Sequence, residues 1–189
     1  MKQIRTIAIA LLVVFSAATA TAQTKKVDAT KSSINWVGKK VTGKHEGTVN
    51  LKEGSLTFKK NVLVGGTFTV NMNSITVTDL KAGEGKEKLE GHLKNDDFFG
   101  TDKYPTSKLD FKTVKTNGAN KYTVTGNLTI KDKTNPITFD LVVNGNTATT
   151  KLVVDRAKYD VKYNSTSFFD SLGDKAIYDD FELEVTLQF

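Results

Sequence analysis

The sequence predicts an all-β protein: an antiparallel sheet of about eight strands closed into a barrel. Three observations carry this prediction. Apolar and polar residues alternate with period two over most of the 189 residues, short turns join most of the alternating segments, and only one short segment favours helix. Such a sheet must bury its apolar face and protect its two edge strands. Closure into a barrel does both, because the apolar face turns inward and the edge strands pair with each other. Alternation alone does not separate a barrel from a two-sheet sandwich.

Four strands are predicted in the first part of the chain, over 33–39, 47–52, 55–59 and 67–72. The pair Glu53-Gly54 predicts a turn between the second and the third of them. The pair Gly65-Gly66 precedes the fourth. Paired glycines at the entrance of a strand indicate a bulge or sharp bend, which a closing barrel requires.

An irregular segment then interrupts the alternation. Residues 86–99 contain the only predicted helix, one or two turns lying across an opening of the barrel. Residues 91–105, here called the island segment, place the aromatic pair Phe98-Phe99 among acids and turn formers. Irregular segments carried on rigid sheets often form binding surfaces, so the island segment is the first candidate for one.

Alternation returns after Pro105, where five more strands are predicted over 107–112, 122–130, 137–143, 148–154 and 181–189. Asn144-Gly145 is a strong hairpin signal between the third and fourth of these strands. Residues 164–173 form a second irregular loop, which carries the pair Phe168-Phe169.

Three motifs carry a resemblance to a known family. In chain order they are His92-Leu93 with Asp97-Phe98-Phe99 and Lys103-Tyr104-Pro105, then Val124 to Ile130 with Asn135-Pro136-Ile137, then Asp155-Arg156. Together they resemble the YceI-like family of secreted lipid-binding proteins. In that family a glycine usually follows the Leu-Thr-Ile strand, where this chain has Lys131-Asp132-Lys133. Because Asp tolerates turn geometry, this departure concerns the turn type.

The resemblance implies an extended lipocalin-like barrel that encloses a polyisoprenoid or similar long apolar chain, such as an isoprenoid quinone. This bound lipid is the only ligand expected, without any cofactor. Carrier, storage and stress-protective roles all fit the resemblance. A transient membrane contact and a homodimer are left open.

The first residues predict export. Lys2 and Arg5 precede an apolar run, and small residues ending at Ala22 fit a cleavage site, so residues 1–22 are predicted to be a signal peptide. Residues 23–189 are then expected to form one periplasmic or secreted domain. The chain has no cysteine, so this domain must be stable without disulfides.

The charge pattern argues against nucleic acid as a partner. The formal net charge is +6 and falls by two with the predicted leader. The lysines are spread along the chain among acids, as on a solvated sheet, whereas nucleic-acid-binding proteins cluster them in a stripe.

Enzymatic and metal-binding interpretations have little support, and we expect neither a catalytic nor a metal site. His92 and Asp96 would share a face of a helix, but one such pair is far short of a metal site. A structural hydrogen bond from His92 to a loop backbone is the favoured interpretation. The pairs Asp96-Asp97 and Asp179-Asp180 are interpreted as turn formers and caps, although paired carboxylates also occur in glycosidases.

Arg156 is the only arginine after the predicted leader, and Trp36 is the only tryptophan. We hypothesise that Arg156 packs on Trp36 or caps carbonyl groups at one end of the barrel. The alternative is a surface ion pair with Asp155 or Asp160.

The candidate binding residues form an apolar cavity and its mouth. The predicted lining is Trp36, Phe68, Val70, Leu109, Phe111, Leu128, Ile130, Phe139 and Leu141. Phe98, Phe99, Phe168 and Phe169 are predicted to line or gate the mouth, with His92 and Arg156 as polar groups there.

The competing function is an integral outer-membrane barrel, structural or pore-forming. Its support is the alternating last strand, which ends in Phe189. Against it, the predicted strands run about six to nine residues, short for crossing a bilayer. One Trp and five Tyr are also too few for two aromatic girdles.

Overall fold

The computed structural model describes residues 21–189, so most of the predicted signal peptide lies outside the described range. The strands are β1 (Gln23–Lys26), β2 (Asp28–Lys40), β3 (Gly43–Lys59), β4 (Val62–Val77), β5 (Thr106–Thr116), β6 (Lys121–Ile130), β7 (Lys133–Asn144), β8 (Thr147–Asp155) and β9 (Ile177–Gln188). The helices are α1 (Lys86–Lys94) and two short 3-10 helices, Arg156–Tyr159 and Gly173–Lys175. None of these helices is long and apolar enough to span a bilayer.

Eight of the strands close into an antiparallel barrel. The order around the ring is β3-β2-β9-β8-β7-β6-β5-β4, and β4 pairs back onto β3. The short β1 adds to the far half of β3 as a ninth strand. The predicted all-β closed barrel of about eight strands with one short helical segment is therefore confirmed, and the sandwich is excluded.

Strand β3 corrects one predicted turn. It runs unbroken through Glu53-Gly54, with a bulge between Leu51 and Glu53. The glycine serves close packing, because a Cβ at Gly54 would lie 2.5 Å from the ring of Phe68. A glycine required by a side chain across the sheet looks, in sequence, like a glycine required by a turn.

The bulge predicted at Gly65-Gly66 is confirmed. Thr57 pairs with Gly65 and Phe58 with Leu63, which leaves Val64 as the extra residue in β4. The bulge bends the long β3–β4 ribbon where the sheet curves.

The two faces of the barrel wall differ sharply in polarity. On β6 the residues facing inward are buried, including Val124 and Leu128, while Thr125 and Thr129 face outward. Outward threonines bond across strands, such as Thr125 with Thr138 at 3.1 Å. Interior apolar residues with a polar exterior are the reverse of the arrangement in a membrane barrel.

The barrel strands are longer than predicted, so the prediction that they are short for crossing a bilayer was wrong. The eight barrel strands run from 9 residues in β8 to 17 in β3, because bulges and inward glycines extend pairing beyond the clean alternation. Transmembrane β-strands need only about 9–11 residues. The polarity of the two faces, and not strand length, argues against this alternative.

One end of the barrel is covered by α1 and the island segment. The backbone N–H of Val77, at the end of β4, donates to Glu90 of α1 at 2.9 Å. Leu93 is the buried residue of α1. The helix ends at Lys94, and the rest of the predicted helical segment forms turns. Their backbone bonds, such as Thr101 N–H to the Lys94 carbonyl at 2.9 Å, hold the segment in place.

One junction in the barrel wall is only partly paired. Strands β7 and β8 pair at three positions next to their hairpin, ending with Val142 opposite Thr149. Beyond these positions the facing edges, residues 133–141 and 150–155, have no ladder pairing with each other. A side-chain bond from the Thr150 hydroxyl to the Asp140 carbonyl, at 2.6 Å, crosses the gap. We call this junction the β7–β8 seam.

Candidate functional site

An apolar cavity of about 120 Å³ lies within the covered end of the barrel. Its lining is Trp36, Gly38, Val49, Val70, Met72, Ile75, Leu93, Phe98, Phe99, Ser107, Ile130, Arg156, Ile177, Tyr178, Phe181 and Leu183. Arg156 is the only charged residue among them. Such a wall, with Ser107 and Tyr178 as its only hydroxyl groups, suits an apolar ligand.

Strands β2, β3 and β9 build one wall of the cavity. Trp36 on β2 lies beside Leu183 of β9 on one side and Gly47 of β3 on the other. The indole Nε1–H is buried without a hydrogen-bond partner. The unpaired donor is a local cost of packing the indole against β3, because a buried N–H without an acceptor loses its hydrogen bond to water.

Aromatic rings of the island segment close the cavity from above. The ring centroids of Phe98 and Phe99 are 6.0 Å apart, and Phe99 meets Phe181 of β9 edge-on at 6.3 Å. On the outer side of Phe98 lie His92, at 5.1 Å, and Tyr163, at 5.7 Å. The cover is therefore a packed aromatic cluster.

Arg156 fixes the chain beneath this cover. The residue is 3 % exposed, and its guanidinium donates to three carbonyls: Val161 at 2.9 Å, Ile177 at 3.0 Å and Tyr178 at 3.1 Å. Asp179 lies 3.4 Å from Nη2. Burial lowers the pKa of the Arg156 guanidinium, and the nearby Asp179 charge opposes this shift.

The structure thus has the predicted capping of carbonyls by Arg156. The guanidinium does not stack on Trp36 but lies over the ring of Phe98 at 5.7 Å. Its ion pair is with Asp179 and not with Asp155 or Asp160, because Arg156 points inward from the 3-10 helix that follows β8.

His92 contacts neither partner expected for it. Its Nε2 bonds to the Asp97 carboxylate at 2.9 Å, because α1 ends before Asp96 and turns that residue away towards Lys103. No group of three or more potential metal-ligating side chains occurs within residues 21–189. The other acidic pair, Asp179-Asp180, lies within β9 and not in the turn predicted for it, and Asp179 accepts a bond from Ser167 at 2.6 Å.

The structure brings six of the predicted site residues to the cavity: Trp36, Val70, Phe98, Phe99, Ile130 and Arg156. Phe68, Phe111 and Phe139 instead pack together elsewhere in the barrel, with centroids 5.5 and 5.9 Å apart. Leu109, Leu128 and Leu141 belong to the same hydrophobic core. Contact of any of these residues with a ligand stays a prediction.

The second predicted aromatic pair does not line the cavity. Phe168 and Phe169 are 43 % and 49 % exposed, and neither is among the lining residues. Tyr178, 52 % exposed, does line the cavity and marks the place where it reaches the surface.

Several lining residues were not predicted from the sequence, among them Val49, Met72, Phe181 and Leu183. All four lie on the inward face of their strands, so alternation identifies their side of the wall. It does not give the height of a residue along the barrel axis, which depends on strand register. Ile75 was missed because β4 extends beyond the predicted end of that strand.

Comparison with protein families gives one match over nearly the whole described chain. A family profile described as the YceI-like domain matches residues 26–189. A UPF0312 protein of Photorhabdus laumondii is 30 % identical over 99 residues, 52 % of this chain and 48 % of that protein. A UPF0312 protein of Staphylococcus aureus is 44 % identical over 59 residues, 31 % of this chain and 32 % of the relative. The chain therefore spans half or less of the length of these curated relatives.

Solved structures share the fold at low sequence identity. BcnA of Burkholderia cenocepacia has a TM-score of 0.68 at 23 % identity, over 85 % of this chain and 98 % of that chain. A polyisoprenoid binding domain from Saccharophagus degradans has a TM-score of 0.57 at 15 % identity, with coverages of 86 % and 95 %. The Campylobacter jejuni YceI protein has a TM-score of 0.56 at 20 % identity, with coverages of 75 % and 82 %.

Proposed function

The chain belongs to the YceI-like family, and from this we propose that it is an exported protein that binds a polyisoprenoid or similar long apolar chain inside its barrel. The observation that carries the proposal is the apolar cavity beneath Phe98 and Phe99. Each methylene removed from water contributes roughly 0.8 kcal/mol, so such a wall binds hydrocarbon without charged groups. The Saccharophagus degradans neighbour, described as polyisoprenoid-binding, supports this ligand class through its shared fold.

The proposed ligand has a neutral polar end. Arg156 is the only cation in the cavity lining, and its guanidinium is already committed to three carbonyls. A quinone or alcohol end group needs no cation, whereas an anionic head group would find no free cation in the lining. We therefore favour isoprenoid quinones and polyprenols over prenyl phosphates.

The proposed site of loading is the mouth beside Tyr178. The Val41 N–H bonds to the Ala176 carbonyl at 3.2 Å, so Val41 lies at the same end, and its side chain is exposed. With Phe168 and Phe169 these residues give this end exposed apolar groups that suit a transient membrane contact. The leader predicts that this contact takes place in the periplasm or outside the cell.

We propose a binding role without catalysis and with no cofactor besides the lipid. The outer-membrane alternative is not retained, because the outward face of the barrel carries threonines and paired charges such as Lys151 with Glu184 at 3.2 Å. A lipid-facing surface of that kind would be costly in a bilayer.

Native mass spectrometry of the protein, purified from its own cell envelope without detergent, tests the proposal. We expect a copurified lipid that organic extraction identifies as isoprenoid. A ligand-free mass, together with no uptake of added isoprenoid quinones, would contradict the proposed function.

Two variants form a matched pair for this experiment. Ser107→Leu places a larger apolar side chain into the cavity, and Lys108→Leu places the same side chain on the outer face of β5. We expect the Ser107 variant to lose most of the bound lipid and the Lys108 variant to keep it. Equal lipid content in two folded variants would mean that the lipid lies outside this cavity.

A further inference from the structure

The cavity is too small for a long chain. An engineered cavity of about 150 Å³ holds one benzene-sized molecule. By this measure, the 120 Å³ cavity holds a group of about one isoprene unit. The remainder of a long ligand must therefore occupy space elsewhere in the molecule.

The β7–β8 seam provides such a space. A groove of about 400 Å³ runs along it, and its apolar lining is Val37, Phe139, Leu152, Val153 and Leu183. Leu183 also lines the cavity, so only this side chain is common to the walls of the two spaces and lies between them. Leu183 points into the barrel but is only half-buried. This exposure is expected for a side chain with open space on both sides.

The polar rim of the groove carries no free charge. Lys151 pairs with Glu184 at 3.2 Å, and Glu182 is paired with Lys39. Asn35 and Thr138 complete the rim. Because the charges neutralise one another, the groove suits an uncharged chain and gives no anchor to a phosphate.

We propose that the β7–β8 seam and its groove form a second subsite, which holds the distal part of a neutral isoprenoid chain whose first unit lies in the cavity. The chain passes Leu183 and leaves the barrel sideways through the seam. This inference rests on the proposed lipid-binding function and adds a path and a ligand length to it.

The seam is also the place where the wall parts at low cost. Separating β6 from β7 would break a ladder that runs from Lys121 opposite Val142 to Ile130 opposite Lys133. Widening the seam removes the bond from the Thr150 hydroxyl to Asp140 and no ladder bond beyond Val142. Buried backbone groups that lose ladder bonds are expensive, so the ligand path follows the unpaired edges.

Cross-linking the seam tests the inference. The chain has no cysteine, so introduced cysteines can react only with each other or with the linker. Thr138 of β7 and Val153 of β8 line the groove, so Thr138→Cys with Val153→Cys closes the seam through a disulfide or a short dithiol-reactive linker. The control is Thr125→Cys with Thr138→Cys, which bridges β6 and β7 where these strands are already paired. Quenching of Trp36 fluorescence by isoprenoid quinones of one and of several units measures binding.

In the wild type, the reduced variants and the control, we expect affinity to rise by at least about tenfold from the one-unit to the longer quinone. With the seam linked, the one-unit quinone should bind as before and the gain with length should disappear. If the linked seam keeps the wild-type dependence on chain length, the second subsite is overturned and the lipid-binding function stands. If the wild type binds neither quinone, the proposed lipid-binding function is contradicted, and so is the second subsite that rests on it.

Discussion

The indole ring of Trp36 lies directly on the backbone of Gly47, so that a Cβ built on Gly47 would be 2.6 Å from Cζ2 of the ring. The same Cβ would be 1.9 Å from the Thr76 carbonyl oxygen on the next strand. The missing side chain on β3 therefore sets the position of the only tryptophan, and with it one wall of the cavity.

Gly47→Ala should destabilise the barrel. The methyl group has no space between Trp36 and Thr76, and overpacking of this kind costs about 1–3 kcal/mol. For a chain of this length the melting temperature should fall by roughly 3–10 °C in a thermal unfolding experiment. Gly65→Ala is the control, because its Cβ would meet Thr57 at an ordinary 3.7 Å. Equal melting temperatures for the two variants would contradict the packing described for Trp36.

Arg156→Lys should also be strongly destabilising, although it keeps the charge. An ammonium group cannot reach three carbonyls arranged around a planar guanidinium, and each acceptor left unpaired in a buried site costs about 1–3 kcal/mol. We expect a loss of at least about 2 kcal/mol in chemical denaturation. Lys158→Ala, at an exposed position two residues on, should change stability by less than about 0.5 kcal/mol. A wild-type midpoint for Arg156→Lys would show that the three bonds do not hold this end of the barrel.

The fold was largely predictable because period-two alternation reports the inward face of every strand. The interior positions of β6 show this, where Tyr122, Val124, Leu128 and Ile130 are all buried as predicted. The errors arose at glycines. Gly54 resembles a turn residue in sequence, and only the partner ring of Phe68 explains it.

The candidate site was less predictable, because a cavity depends on relations between distant strands. Val70 and Phe111 both face inward, yet only Val70 reaches the cavity, since register and strand tilt set their heights. For aromatic residues in loops, the sequence has no alternation that would indicate whether the ring faces inward or outward. Phe98-Phe99 and Phe168-Phe169 look alike in sequence, but the first pair is packed by the island segment and the second is exposed.

The ionised Asp79 carboxylate should contribute to the free energy of unfolding at neutral pH, and this contribution should be lost at acidic pH. It accepts hydrogen bonds from the Glu46 N–H at 3.0 Å and from His45 at 2.8 Å. Partial burial raises the pKa of the Asp79 carboxyl, but these bonds outweigh burial and hold the pKa below 3.8. A lowered folded-state pKa stabilises the protein above the unfolded pKa, and this contribution is lost as the pH falls through the folded-state value.

Asp79→Asn should therefore lower stability by about 1 kcal/mol at pH 7. The difference from the wild type should shrink as the pH falls below 3.8, in urea titrations at successive pH values. Asp102→Asn, at an exposed position, is the control and should track the wild type throughout. A difference that stays constant from neutral to acidic pH would show that the Asp79 charge is not involved.

Phe99→Ala and Phe169→Ala should behave differently, although the sequence places both residues in irregular loops. Phe99 packs against Phe98 and Phe181 in the cavity wall, so its truncation should cost about 2 kcal/mol, less than a fully buried phenylalanine. It should also widen the cavity and change the quenching of Trp36 by an isoprenoid quinone. Phe169 is exposed and does not line the cavity, so its truncation should leave the melting temperature and the quenching at equilibrium unchanged. If Phe169→Ala alters the quenching as strongly as Phe99→Ala, the second loop folds over the ligand, and the mouth is built as the sequence first predicted.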